Sequence, residues 1–137
     1  MIKRLIDAFR KTTPLNQAFK RSREMLREDR EMFEEAIRSL RERDDARLEV
    51  DIYAKDQMIN AYEREVRRKI YTHLTVSGEG DLNAGLVLAS VVHDIERIGD
   101  YTKNIVELAL HHPKRLVCGD FETDIKKIGR VSCRERV

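Results

Sequence analysis

The chain has 137 residues, room for one ordinary domain with its own core but not for a second full one. Charged residues make up 38% against 6% aromatic, with no Trp, two Pro and six Gly, a composition that favours a few long helices. The 27 basic and 25 acidic residues leave a net charge of +2, which excludes a strong overall field for gathering nucleic acid or an anionic membrane.

Residues 1–12 open the chain with Ile2, Leu5, Ile6 and Phe9 on one side and Lys3, Arg4, Arg10 and Lys11 on the other. This pattern predicts a short amphipathic basic helix, closed by Thr13 and Pro14 and expected to fold back on the body of the protein, with a membrane-surface role as the lesser alternative. From Leu15, Phe19, Leu26, Phe33 and Leu40 recur every seven residues, with Met25, Met32, Ala36 and Ile37 beside them. That spacing predicts a long helix with a bundle seam. Ser22 and Asp29 fall along the seam, where the leading expectations are a partly solvated polar layer or a partner for a neighbouring helix's cation, with a metal-ligand role for Asp29 as the lesser alternative.

After a polar break at Arg41 to Asp45, a second helix is expected from about Ala46 to about Leu74, with an apolar stripe through Leu48, Ile52, Ile59, Tyr62, Val66 and Ile70. Thr75 to Gly80 reads as a loop, and Asp81 is placed to accept hydrogen bonds from the first free amides of a third helix running from about Leu82 to about Leu110. The third helix shows two apolar faces, one through Val87, Val91, Ile98, Tyr101, Ile105 and Leu108 and another through Leu82, Ala89 and Val92. The expected fold is therefore all-α, an antiparallel three-helix bundle over residues 15–110. Pro113 ends it, and residues 111–127 read as a linker followed by the start of a further element.

No stretch approaches the roughly 18 consecutive apolar residues needed to cross a bilayer, and the N-terminus lacks the apolar run and cleavage site of a secretory signal. A cytoplasmic location is the expectation. Cys118 and Cys133 are too few and too dissimilar in setting for a disulfide or metal framework.

The chemistry lies in carboxylates. On the second helix Asp56, Asn60 and Glu63 are spaced by four and three, so they share a strip at the edge of the apolar stripe. On the third, Glu96 and Asp100 are four apart. Hard cations prefer oxygen ligands, and two such strips meeting across a helix interface would offer several within one small volume. Spacing alone favours the plainer reading, solvated helix faces or salt bridges to Arg64, Arg67 or Arg97.

The segment AKDQMINAYEREVRR, followed after a loop by GDLNAGLVLASVVHDIERIGDYTKNIVELAL, resembles the core repeat of the PhoU family. Asp56, Asn60 and Glu63 match its Asp-x-x-x-Asn-x-x-Glu pattern, and Asp94, Glu96, Arg97, Gly99, Asp100 and Asn104 match its Asp-x-Glu-Arg-x-Gly-Asp-x-x-x-Asn run. The resemblance implies one three-helix repeat of a tandem, an accessory regulator of phosphate transport and of the phosphate-starvation response, and metal held at an acidic helix motif. It makes Glu96, Asp100 and Asp56 the first candidate ligands, with Asn60 and Glu63 next, for divalent or transition ions such as Fe, Zn, Mn or Mg. The implied partners are a phosphate transporter's ATPase subunit or a phosphate sensor kinase, and no catalytic step is required.

Asp94 falls nearly opposite Glu96 on the helix and is assigned a structural partner, while His93 shares the Glu96 face and reads as an ordinary hydrogen-bonded histidine. The second repeat is absent, and residues 128–137, IGRVSCRERV, resemble translated adapter sequence and are expected to be a non-native read-through tail. A lone repeat leaves one surface uncovered, so a homo-oligomer or an aggregation-prone monomer is expected. Two other readings compete with the regulator. One is a carboxylate-bridged metalloenzyme of bundle type, although no Glu is followed three residues later by His. The other is a cytoplasmic interaction domain cut from a phosphate transporter. Nucleic-acid binding ranks last, because the basic clusters are interleaved with acids and lack an aromatic stacking platform.

Overall fold

The computed structural model describes residues 13–77, 81–112, 114–125 and 127. The expected helix over residues 1–12, the tail over 128–137, and the loop residues 78–80 with Pro113 lie outside the described residues.

The first helix, α1, spans Pro14–Arg41. Thr13 starts it with extended backbone and a hydroxyl that accepts from the Asn16 amide at 3.2 Å, and Pro14, which has no amide to leave unpaired, takes the first turn. Arg38 and Arg41 sit in its last turn, where cations complement the helix dipole. The second helix, α2, spans Ile52–Ser77, starting later than the expected Ala46. Ala46 has a φ of 52°, outside right-handed helix, and the helix begins where Asp51 Oδ1 accepts from the Ala54 amide at 2.9 Å. Leu48, expected on the helix, packs on the core from the connection instead, as does Val50.

The third helix, α3, spans Leu82–His111. Asp81 precedes it but makes no side-chain cap; its carboxylate meets His73 Nε2 at 2.7 Å, joining the two ends of the α2–α3 connection. Each helix packs against both others, so the architecture is an all-α three-helix bundle with consecutive helices antiparallel. Among the described residues no helix is long and apolar enough to cross a membrane.

The core follows a strict alternation of three and four. It runs through Ala18, Ser22, Met25, Asp29, Met32, Ala36 and Ser39 on α1, and through Ile52, Asp56, Ile59, Val66, Ile70 and His73 on α2. On α3 it runs through Gly85, Leu88, Val92, Ile95, Gly99, Thr102, Val106 and Ala109. This is the spacing of a coiled-coil seam.

The seam on α1 therefore lies one residue away from the series of large apolar residues expected to form it. Phe19 is 57% exposed, Leu26 45% and Phe33 44%, and only Leu40 of that series is buried. Ala, Ser and Met at the buried positions let the helices approach closely, and the bulkier side chains are displaced to a flank. The opposite flank of α1 faces α2, since Arg21 pairs with Glu65 at 3.1 Å and Glu28 with Lys55. The phenylalanine row thus lies on the side of α3, whose Val87, Val91, Ile98, Tyr101 and Leu108 are also exposed. Those α3 residues were expected to be packed; Val92 of the second expected face is buried, joined by Leu88, Ile95 and Val106, which the pattern did not single out.

Past α3 the chain returns to the end of α1. The Leu116 amide donates to the Leu40 carbonyl at 2.7 Å, Glu122 pairs with Arg41, and a short 3-10 turn covers Gly119–Phe121.

Candidate metal centre

The two acidic strips face each other, because Asp56 on α2 and Gly99 on α3 are seam residues of antiparallel neighbours. Lys103, one turn past Gly99, sends its ammonium between the strips, 2.8 Å from Asp56 Oδ2 and 2.8 Å from Asp100 Oδ1. Asn60 Nδ2 also donates to Asp56 Oδ2, at 3.3 Å. One turn along, His93 Nδ1 stands 3.8 Å from both Glu63 Oε1 and Glu96 Oε2, and Arg67 meets Glu63 at 3.3 Å. All five expected ligands, Glu96, Asp100, Asp56, Asn60 and Glu63, are thus drawn along one α2–α3 interface. Asp94 is exposed, its charge felt by Arg97.

Burial, then the charges of Asp100, Glu63 and Asp56, raise the Glu96 carboxyl above its usual range, with His93 working the other way. Burial works against the Lys103 ammonium, but its bonds to Asp100 and Asp56 outweigh that and raise it. The carboxylates along the interface thus repel one another, and a lysine answers part of that repulsion. Among the described residues no three His, Cys, Asp or Glu side chains form a ready group for a metal ion.

The acidic residue that spacing on α2 and α3 did not single out is Asp29 on α1. It is 2% exposed, and neither of its oxygens has a hydrogen-bond partner; Asp56 Oδ1 is likewise buried without one. Asp29 is thus neither solvated nor met by a cation, contrary to both expectations for it. Burial first, then Asp56, Glu96 and Glu28, push its carboxyl up to about 7. Gly99 makes room for it: a Cβ there would stand 3.1 Å from Asp29 Oδ1 and 3.6 Å from Asp56 Oδ1. Orphaned buried oxygens around a cradle that a methyl would fill suit a small cation with a preference for oxygen ligands. The signal in the sequence was an acid at a seam position of an otherwise apolar and small-residue heptad.

The chain was compared with known proteins. No significant match to a curated protein or to a solved structure is found. A family model described as PhoU domain matches residues 22–109, from the third turn of α1 through nearly all of α3. That match takes in most of the bundle and both acidic strips, and the chain belongs to the PhoU family.

Proposed function

We propose that this chain is a metal-binding accessory regulator of phosphate transport and phosphate-starvation signalling that works through protein contacts and not by catalysis. Family membership itself carries the coarser statement, involvement in the regulation of phosphate homeostasis. The observation that supports the finer reading is the convergence of Glu63, Glu96, Asp56 and Asp100 along one helix interface, with Lys103 and His93 set between them and Arg67 beside Glu63.

Glu96 and Asp100 would hold the ion from α3, and Asp56, Asn60 and Glu63 from α2. When bound, an Fe, Zn, Mn or Mg ion would neutralise carboxylates that otherwise repel and would organise the acidic surface for a partner. Partial exposure suits that use: the Asp100 side chain is 48% exposed, whereas that of Glu96 is 18% exposed. The partner is a phosphate transporter's cytoplasmic ATPase subunit or a phosphate sensor kinase, and the location is the cytoplasm. The exposed row of Phe19, Leu26 and Phe33 beside Val91 and Ile98 supports self-association or partner docking, since apolar patches of this kind mark contact surfaces.

Two measurements test the reading. Elemental analysis of chain purified without chelator should find bound metal, and the double variant Glu96→Gln, Asp100→Asn should lose it. A pull-down with the purified ATPase subunit or sensor kinase should depend on that metal. Metal-free chain whose melting temperature ignores added Mn, Fe, Zn and Mg would overturn the metal assignment.

A further inference from the structure

Two carboxylate oxygens, Asp29 Oδ1 from α1 and Asp56 Oδ1 from α2, border one space above Gly99 of α3, and neither has a hydrogen-bond partner. Both residues are more than nine-tenths buried, at 2% and 7% exposed. Folded proteins rarely leave such groups unsatisfied, and a buried ionised carboxylate without a partner is among the most expensive groups to keep.

We infer that Asp29 is a ligand of an interior cation position where the three helices meet, taking a hard divalent ion such as Mg2+ or Mn2+. This rests on the metal-binding reading above and deepens it, since it adds a ligand from α1 and moves the ion inward from the exposed Asp100. Charge supports a divalent ion. Asp29 and Glu96 each feel the charge of Asp56, Glu96 also feels Asp100, and the ammonium at this layer, that of Lys103, is shared between Asp56 and Asp100, so the acids outnumber the cation. A doubly charged ion would offset part of that excess.

Lys103 cannot do this alone, because its ammonium is directed at the other Asp56 oxygen, Oδ2, and at Asp100. Gly99 supports the location, since any side chain there would intrude on the space between the two oxygens. The donors favour the hard ions, which accept carboxylates and complete their shells with water, over ions that seek sulfur or imidazole. The competing arrangement is a proton shared between Asp29 and Asp56, which would satisfy the same oxygens with no metal.

The test uses the full chain, stripped with chelator and titrated with Mn2+, with bound ion followed by electron paramagnetic resonance and stability by calorimetry. Asp29→Asn keeps the side chain's shape and imitates the protonated acid. It should weaken Mn2+ binding roughly tenfold or more and abolish most of the metal-induced rise in melting temperature. Asp100→Asn should cost less. Gly99→Ala leaves every carboxylate in place, and its methyl should also weaken binding. Native-like Mn2+ affinity in Asp29→Asn or in Gly99→Ala overturns the interior position, and if Asp100→Asn then loses the ion the surface reading stands alone. Failure of the native chain to bind Mn2+, Mg2+ or any transition ion overturns both.

Discussion

Two carboxylates on α1, Glu35 and Asp29, are buried to nearly the same degree, at 0% and 2% exposed, and less than two helical turns separate them. Glu35 has a cation beside each of its oxygens, although its Oε2 makes no hydrogen bond. Arg43 reaches its Oε1 at 2.7 Å, the Glu49 amide donates to the same oxygen, and Arg38 stands 3.2 Å from Oε2 in an ion pair. Burial works to raise its carboxyl, but Arg43, Glu49 and Arg38 outweigh that and hold it below the usual range. Asp29 has no such company, and its carboxyl is pushed the other way. The difference teaches that burial alone does not decide a carboxylate's state. The connection between α1 and α2 folds back to supply Glu35 with donors, whereas no described segment of the chain does so for Asp29.

The largest break in this contrast comes from removing a partner of Glu35. Arg43→Ala would leave a fully buried charge short of its main counter-ion and should lower unfolding free energy by about 3 kcal/mol in chemical denaturation. Asp29→Asn should act in the opposite direction on chelator-treated chain. It removes an unpaired buried charge, so a gain of roughly 2 kcal/mol is expected.

A pH series sharpens the comparison further. Because folding lowers the Glu35 pKa below its ordinary 4.5, this group's stabilisation is complete above that value and disappears as pH falls through the lower folded value. The stability gap between the native chain and Arg43→Ala should therefore be constant at neutral pH and shrink below about pH 4.5. The smallest effect belongs to Arg38→Ala. That side chain is 48% exposed, and its loss should cost less than about 1 kcal/mol.

Much of this layout was legible in the sequence. Helix number, order and rough limits follow from apolar periodicity and from the scarcity of Gly and Pro, and helical spacing puts Asp56, Asn60 and Glu63 on one strip and Glu96 and Asp100 on another, while the meeting of the two strips was implied by the family resemblance. The phase of the α1 seam was not legible, because Phe19, Leu26 and Phe33 carry the stronger hydrophobic signal while close packing selected their smaller neighbours Ala18, Met25 and Met32. The start of α2 was misplaced for a backbone reason, the left-handed Ala46, which no apolar pattern records. Asp81 satisfies every rule for a helix cap and was nevertheless claimed by His73, a choice between two partners that only the folded chain makes. Asp29 could be placed on the seam, but its lack of a partner depended on where Lys103 and the arginines of the other helices ended up.

Regular three-and-four spacing on all three helices creates an ambiguity, because helices that repeat every seven residues can slide past one another by one repeat and still match oil to oil. The layer of Asp29, Asp56 and Gly99 removes it. Shifting α3 by seven residues would bring Val92 or Val106, both fully buried, to the place where Gly99 leaves room, and would press isopropyl groups onto two acids. The acidic layer thus works as an alignment key, admitting a single registration of the rods and rejecting the neighbouring ones.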